Sequence, residues 1–218
     1  MKLTDLAGII FDLDGTLIDS AHVWTDIDKL FLRKRGITMP DDYSKMVSTM
    51  NFTDAAVYTK KRFGIEESIS AIMNEWFEYA LYEYSYNIKA RPNVRMFLEA
   101  LREAGVRLAV ATASNIRLYT AVLKNNGIYD LFEAFASTEE VTRGKGFPDV
   151  YELAARRLRL APDRCAVIED LVEGVHGAAQ GGFMTIACIN GVFPEDEQKL
   201  RAEADLAFSD YKELMALL

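Results

Sequence analysis

Short, unbroken apolar runs recur along the chain at residues 6–11, 106–111, 165–168, 183–189 and, more weakly, 205–208, and each stops abruptly at polar or turn-forming residues. Unbroken rather than alternating hydrophobicity of this length marks strands buried on both faces. Between the runs lie amphipathic stretches at 93–104, 114–126, 149–158 and 172–180, with Gly127 and Gly181 read as stops behind the second and fourth. Strand and helix in alternation predict an α/β core built on a Rossmann-like parallel sheet.

Residues 20–90 break this rhythm with helix after helix and no strand. Ser20 is positioned to cap a helix with apolar positions Val23, Ile27, Leu30 and Phe31, and Gly36 is its stop. A second helix is expected from about Thr53 to Phe63, before Gly64. The third carries Ile69, Ile72, Met73, Trp76, Phe77, Ala80, Leu81 and Tyr84 at i, i+3, i+4 spacing. The pattern predicts an all-helical cap at 20–90 inserted into a core made of residues 1–19 and 91–218.

The composition, 50% hydrophobic and 27% charged over 218 residues, supports a globular chain with a sizeable core. A net charge of −8 argues against nucleic acid and anionic membranes as partners. A phosphorylated substrate then requires a local reversal of sign. Cys165 and Cys188 both sit in strand-like runs and read as reduced core residues. With no basic leader and no long apolar segment, the expected compartment is the cytoplasm.

The first run ends in Asp12-Leu-Asp14-Gly15, at the sheet edge where ligands of parallel α/β sheets bind. Alone, this reads equally as a polar turn or as a hard-metal site. A second acidic pair, Glu169-Asp170, follows the run at 165–168, and together the two pairs suit Mg²⁺. Thr112, Ser114 and Asn115 follow the run at 106–111, where a helix begins, and read as an anion cradle or as helix capping. Lys145, between Gly144 and Gly146, can offset carboxylate repulsion and stabilise a transferring phosphoryl group.

Taken in order, Asp12-Leu-Asp14-Gly15-Thr16-Leu17, Thr112, Lys145 and Glu169-Asp170 with Gly174 resemble the haloacid dehalogenase superfamily. The similarity is to members with a helical cap after the first strand, of the beta-phosphoglucomutase and phosphoglycolate phosphatase type. The resemblance implies that Asp12 attacks phosphorus and that Asp14 acts as acid and then base. It implies that Thr112 and Lys145 hold the phosphoryl group, and that Asp12, Asp170 and a backbone carbonyl of Asp14 meet Mg²⁺, with Glu169 as a further ligand or an outer support. Ser114 and Asn115 are further candidates for the substrate phosphate. Dehalogenase relatives lack the residue equivalent to Asp14, which points to phosphatase chemistry.

Two departures concern the motifs: Leu171 stands where many relatives have serine, and Gly146 where proline is frequent. Two more bear on the acceptor. Where similar mutases carry a catalytic histidine and a Gly-x-x-Arg-like turn, this chain has Trp24 and Ser48-Thr-Met-Asn-Phe52. Water is therefore the expected acceptor, and Trp24 is either packing or a gate. The expectation is a Mg²⁺-dependent phosphatase, monomeric or weakly dimeric, acting on a small phosphorylated metabolite in a cleft between core and cap. A sugar phosphomutase and a non-catalytic phosphate- or metal-binding protein are the alternatives.

Overall fold

The computed structural model describes residues 2–47, 50 and 52–218. Ser48, Thr49 and Asn51, in the segment compared with the mutase turn, lie outside the described residues. Contacts divide the chain into two compact units, Met1–Ser20 with Ile88–Leu218, and Ala21–Asn87. The helices of the second unit are α1 (Val23–Lys34), α2 (Tyr43–Val47), α3 (Phe52–Phe63) and α4 (Ile69–Tyr86).

The first unit opens with β1 (Gly8–Phe11) and resumes with α5 (Val94–Glu103), β2 (Arg107–Thr112), α6 (Ile116–Asn125) and β3 (Ala134–Ser137). It continues through α7 (Asp149–Arg157), β4 (Cys165–Glu169), α8 (Val172–Gln180) and β5 (Met184–Cys188). It closes with α9 (Pro194–Glu203), β6 (Leu206–Phe208) and α10 (Tyr211–Met215). The strands form one six-stranded parallel sheet in the order β3-β2-β1-β4-β5-β6.

The central position of β1 follows from its sequence, Gly-Ile-Ile-Phe, which is buried at every residue. Successive side chains of a strand point to opposite faces. Ile10 accordingly packs with Tyr151 and Ala154 of α7, while Phe11 meets Phe97 of α5 edge-on, with ring centroids 6.3 Å apart. The chain order places β2 and β4 on either side of β1, so the loops after these three strands converge on one edge.

In the helical unit α4 packs against α1 and α3. Phe31 and Trp76 meet with centroids 5.4 Å apart, and Arg35 joins Glu67 and Glu75 at 2.7 and 2.8 Å. Ser68 caps α4, its Oγ accepting from the Ala71 N–H at 3.1 Å. Among the described residues, no helix is long and apolar enough to cross a membrane.

Several local expectations change. The strand β3 is additional, as are α2, α9 and α10. Ser20 does not cap α1: His22 occupies the cap position without a side-chain cap bond, and Ser20 turns to the site described below. Leu30 is exposed and Leu32 is buried in its stead, because Leu32 completes the face set by Ile27, Asp28 and Phe31. Gly181 closes α8 as expected, and the left-handed backbone, φ of 78°, falls on the next residue, Gly182.

Candidate active site

The ladder of β1 runs into Asp12, whose N–H donates to the Ile168 carbonyl at 2.9 Å. This fixes the residue beside the end of β4, with its side chain 2% exposed. The chain then folds back tightly: Gly15 N–H donates to the Ile18 carbonyl at 3.0 Å and Ile18 N–H to the Leu13 carbonyl at 3.1 Å. Gly15 adopts φ of 84°, and a Cβ there would lie 2.0 Å from Asp170 Oδ2. Only glycine gives both that backbone conformation and room for the carboxylate.

Within the turn, both carboxylate oxygens of Asp14 receive hydroxyls. Ser20 Oγ donates to Oδ1 at 2.8 Å, and Ser114 Oγ donates to Oδ2 at 2.6 Å. Thr112 ends β2, is 1% exposed, and accepts the Ser114 N–H on Oγ1 at 2.9 Å. Asn115 is placed otherwise: it caps α6 through Arg117 N–H at 2.9 Å and donates to Glu139 at 3.1 Å. Its side chain serves the helix start, as the capping alternative holds, rather than the carboxylate cluster.

Lys145 reaches the other side of Asp12. Its ammonium donates to Asp12 Oδ1 and, at 2.5 Å, to Glu169 Oε1. Glu169 is fully buried at the end of β4 and takes three further bonds: from Tyr151 Oη at 3.0 Å, and from the N–H groups of Asp170 and Leu171 at 2.9 and 3.1 Å. Gly174 makes the space, since a Cβ there would sit 2.4 Å from Glu169 Cδ.

Charge here is unbalanced. Burial pushes the Asp12 carboxyl up; Lys145 opposes this, and Glu169, Asp170 and Asp14 add to it. Burial, then Glu169, pushes Asp170 up to about 7 against the pull of Lys145. The lysine itself is desolvated, yet the Asp12 and Glu169 charges hold its pKa well above the ordinary range. Arg91, 9% exposed, adds positive potential at Asp170, and its Nε has no hydrogen-bond partner among the described residues.

One carboxylate oxygen from each of Asp12, Glu169 and Asp170 lies within 4.8 Å of the others, a spacing suited to a shared cation. Asp12 Oδ2 is buried without a hydrogen-bond partner among the described residues, and the Asp170 carboxylate receives a long contact, 3.4 Å, from the Thr16 hydroxyl besides a bond from its own backbone. Both are therefore acceptors that a hard cation fits. Glu169 differs, because each of its oxygens already takes two donors. The Asp14 carboxylate, bound to two serines, lies outside this trio.

Three contributors escaped the sequence reading. Tyr151 stands in the helix predicted at 149–158, Ser20 carries a capping signal, and Arg91 is the residue at which the core is expected to resume after the cap at 20–90. The adjacency of Ser20 to the Asp12-x-Asp14 turn was the one available clue.

A profile of the haloacid dehalogenase-like hydrolases matches residues 6–182. Hexitol phosphatase A of Escherichia coli is 30% identical over 209 residues, covering 95% of this chain and 92% of that protein. The phosphorylated carbohydrates phosphatase of Thermotoga maritima is 24% identical over 181 residues, covering 83% and 84%. Among solved structures, CbbY from Rhodobacter sphaeroides in complex with phosphate superposes with a TM-score of 0.80 at 23% identity, covering 98% of this chain and 99% of that one; it speaks to the fold.

Proposed function

This chain belongs to the haloacid dehalogenase-like hydrolases and is a phosphoric monoester hydrolase, and we propose that it hydrolyses a small phosphorylated metabolite through a phosphoryl group carried on Asp12. The observation that carries this reading is the buried Asp12 carboxylate, bonded by Lys145 on one oxygen and without a partner among the described residues on the other, two residues before an Asp14 held by two hydroxyls.

In this reading an Asp12 oxygen attacks phosphorus as the ester P–O bond breaks. Asp14 gives its proton to the departing oxygen. Asp14 then takes a proton from water, whose oxygen attacks phosphorus and breaks the bond to Asp12, releasing inorganic phosphate. Splitting one displacement in two, with an acid and base in place, contributes roughly 10²- to 10⁴-fold from the proton transfers. Ser20 and Ser114 hold Asp14 on line, and Thr112 and Lys145 receive the phosphoryl oxygens.

Asp12 and Asp170, with the Asp14 backbone carbonyl, are the residues we assign to Mg²⁺, and Glu169 orients Lys145 and the loop. When bound, the cation neutralises charge between the nucleophile and an anionic phosphate. The phosphatase relatives support a phosphorylated carbohydrate or polyol as the first substrates to try.

Phosphate release across phosphosugars, phosphopolyols, nucleotides and phosphoglycolate, with and without Mg²⁺ and with Asp12→Asn as blank, tests the reading. Metal-dependent release absent from the variant is expected. Equal release by both proteins would remove Asp12 from its role, and isomerised product with little phosphate would replace hydrolysis by mutase chemistry.

A further inference from the structure

The helical unit contains a cavity of about 390 Å³ whose described walls come from Ala21–Asn87. That volume suits a small organic ligand. Trp24 and Phe52 meet edge-on with centroids 5.8 Å apart, and Phe52 meets Trp76 at 5.7 Å, so three aromatic rings make one continuous wall. Asp28 lies one helical turn beyond Trp24 on α1 and lines the same cavity.

Asp28 is an unusual residue to find there. It is 9% exposed, yet no hydrogen bond or ion pair holds its carboxyl among the described residues. Burial alone moves its pKa, up to about 7. Tyr43, which feels the Asp28 charge, shares its hydroxyl with Thr59 at 2.6 Å and does not serve the carboxyl. A buried carboxylate without a partner is costly unless something bound in the cavity compensates it.

We propose that this cavity binds a small organic ammonium ion with apolar substituents on its nitrogen. Asp28 supplies the countercharge, and the faces of Trp24, Phe52 and Trp76 attract the cation through their quadrupoles while excluding water. A polyol fits less well. It needs many hydrogen-bonding partners, and among the described residues the wall offers, besides Asp28 and the indole N–H groups of its two tryptophans, chiefly the hydroxyls of Thr25 and Ser44. Trp24 and Phe52 stand where similar mutases carry residues that act on substrate, so this inference deepens the phosphatase reading and rests on it for the ligand's role, while the binding itself is tested without turnover.

Trp24 and Trp76 are the only two tryptophans of the chain, so intrinsic fluorescence reports on this cavity directly. The full chain is titrated with choline, with its neutral carbon isostere 3,3-dimethylbutan-1-ol, and with sorbitol, and calorimetry repeats the choline titration. Saturable choline binding at least about tenfold tighter than that of the neutral isostere is expected. Asp28→Asn, with its fold checked by circular dichroism, should bring the two ligands within about twofold of each other. The comparison of isosteres on the unaltered protein stands even if that variant does not fold. The proposal is overturned if the neutral alcohol binds as tightly as choline, if sorbitol saturates and choline does not, if choline gives neither a fluorescence change nor heat, or if a folded Asp28→Asn protein keeps the preference for the cation.

Discussion

Ser20 donates its hydroxyl to Oδ1 of Asp14 at 2.8 Å, and it is the last residue of the opening segment of the α/β unit. The residue that closes this segment is thus bonded to the group assigned to proton transfer. Ser20→Ala should lower kcat/KM, which reports the first displacement, about tenfold on substrates with poor leaving groups, the usual cost of one lost hydrogen bond to a charged group. On p-nitrophenyl phosphate, whose leaving group departs without a proton, the loss in kcat/KM should be no more than about twofold. Steady-state kinetics on the two substrate types checks this, and equal losses in kcat/KM on both would refute an effect through Asp14 as the acid.

Gly15 has φ of 84° and faces Asp170 so closely that a Cβ would lie 2.0 Å from its carboxylate. Gly15→Ala therefore combines backbone strain with displacement of a proposed metal ligand. Its expected cost is about 1–3 kcal/mol of stability. In addition, half-maximal activation should require at least about tenfold more Mg²⁺. Thermal unfolding and a Mg²⁺ titration of activity measure the two effects separately.

Glu169 and Asp170 are neighbours with opposite expected responses. Glu169 takes Lys145, Tyr151 and two backbone N–H groups, so Glu169→Gln turns an amide donor toward other donors. It should cost about 3–5 kcal/mol, as breaking a buried ion pair does. Asp170 lacks comparable donors and is pushed up to about 7 by burial and Glu169. Its ionisation burdens the metal-free fold above that pH, so Asp170→Asn should stabilise chelator-treated protein at pH 8 while abolishing activation by Mg²⁺. Urea unfolding with and without chelator at pH 8 distinguishes the two variants.

Asp28 makes a separate prediction for pH dependence. Its carboxyl is pushed up to about 7 by burial, so the folded state holds a proton that the unfolded chain has released above its ordinary value of 3.8. Folding then binds more protons than unfolding, and this group's contribution to stability declines as pH rises from about 4 to about 7. The decline is between about 1 and 4 kcal/mol, and Asp28→Asn should remove it. Unfolding midpoints of the two proteins, measured without ligand across this range, provide the comparison.

The sequence made the α/β core and its acidic edge readable because β1, β2, β4 and β5 are apolar runs and the first three of them end in chemistry-bearing residues. Strand β3 is Ala-Phe-Ala-Ser, too short and too rich in small side chains to announce itself, and its pairing with β2 decides its conformation. Helix α9 buries only Leu200, so no apolar face marks it, although Pro194 at its start is a legible signal. At the site, Asp12, Asp14, Lys145 and Glu169-Asp170 were visible as strand-end or glycine-flanked charges. The bond from Ser114 to Asp14 was not, because it joins residues a hundred positions apart, a pairing that only the tertiary register creates.

The register of the central strand also bears on how the chain is made. Gly8 of β1 pairs with Arg107 on one side and Cys165 on the other, so the strand leading into Asp12 is synthesised early and acquires both neighbours late. Ala21–Asn87 has been translated in full before the first residue of β2 exists. Until β4 follows, an apolar strand remains without one of its partners on the nascent chain, where such edges invite aggregation. Slowed elongation or chaperone depletion during translation of residues 107–165 would therefore lower the yield of native protein more than the same disturbance near the end of the chain.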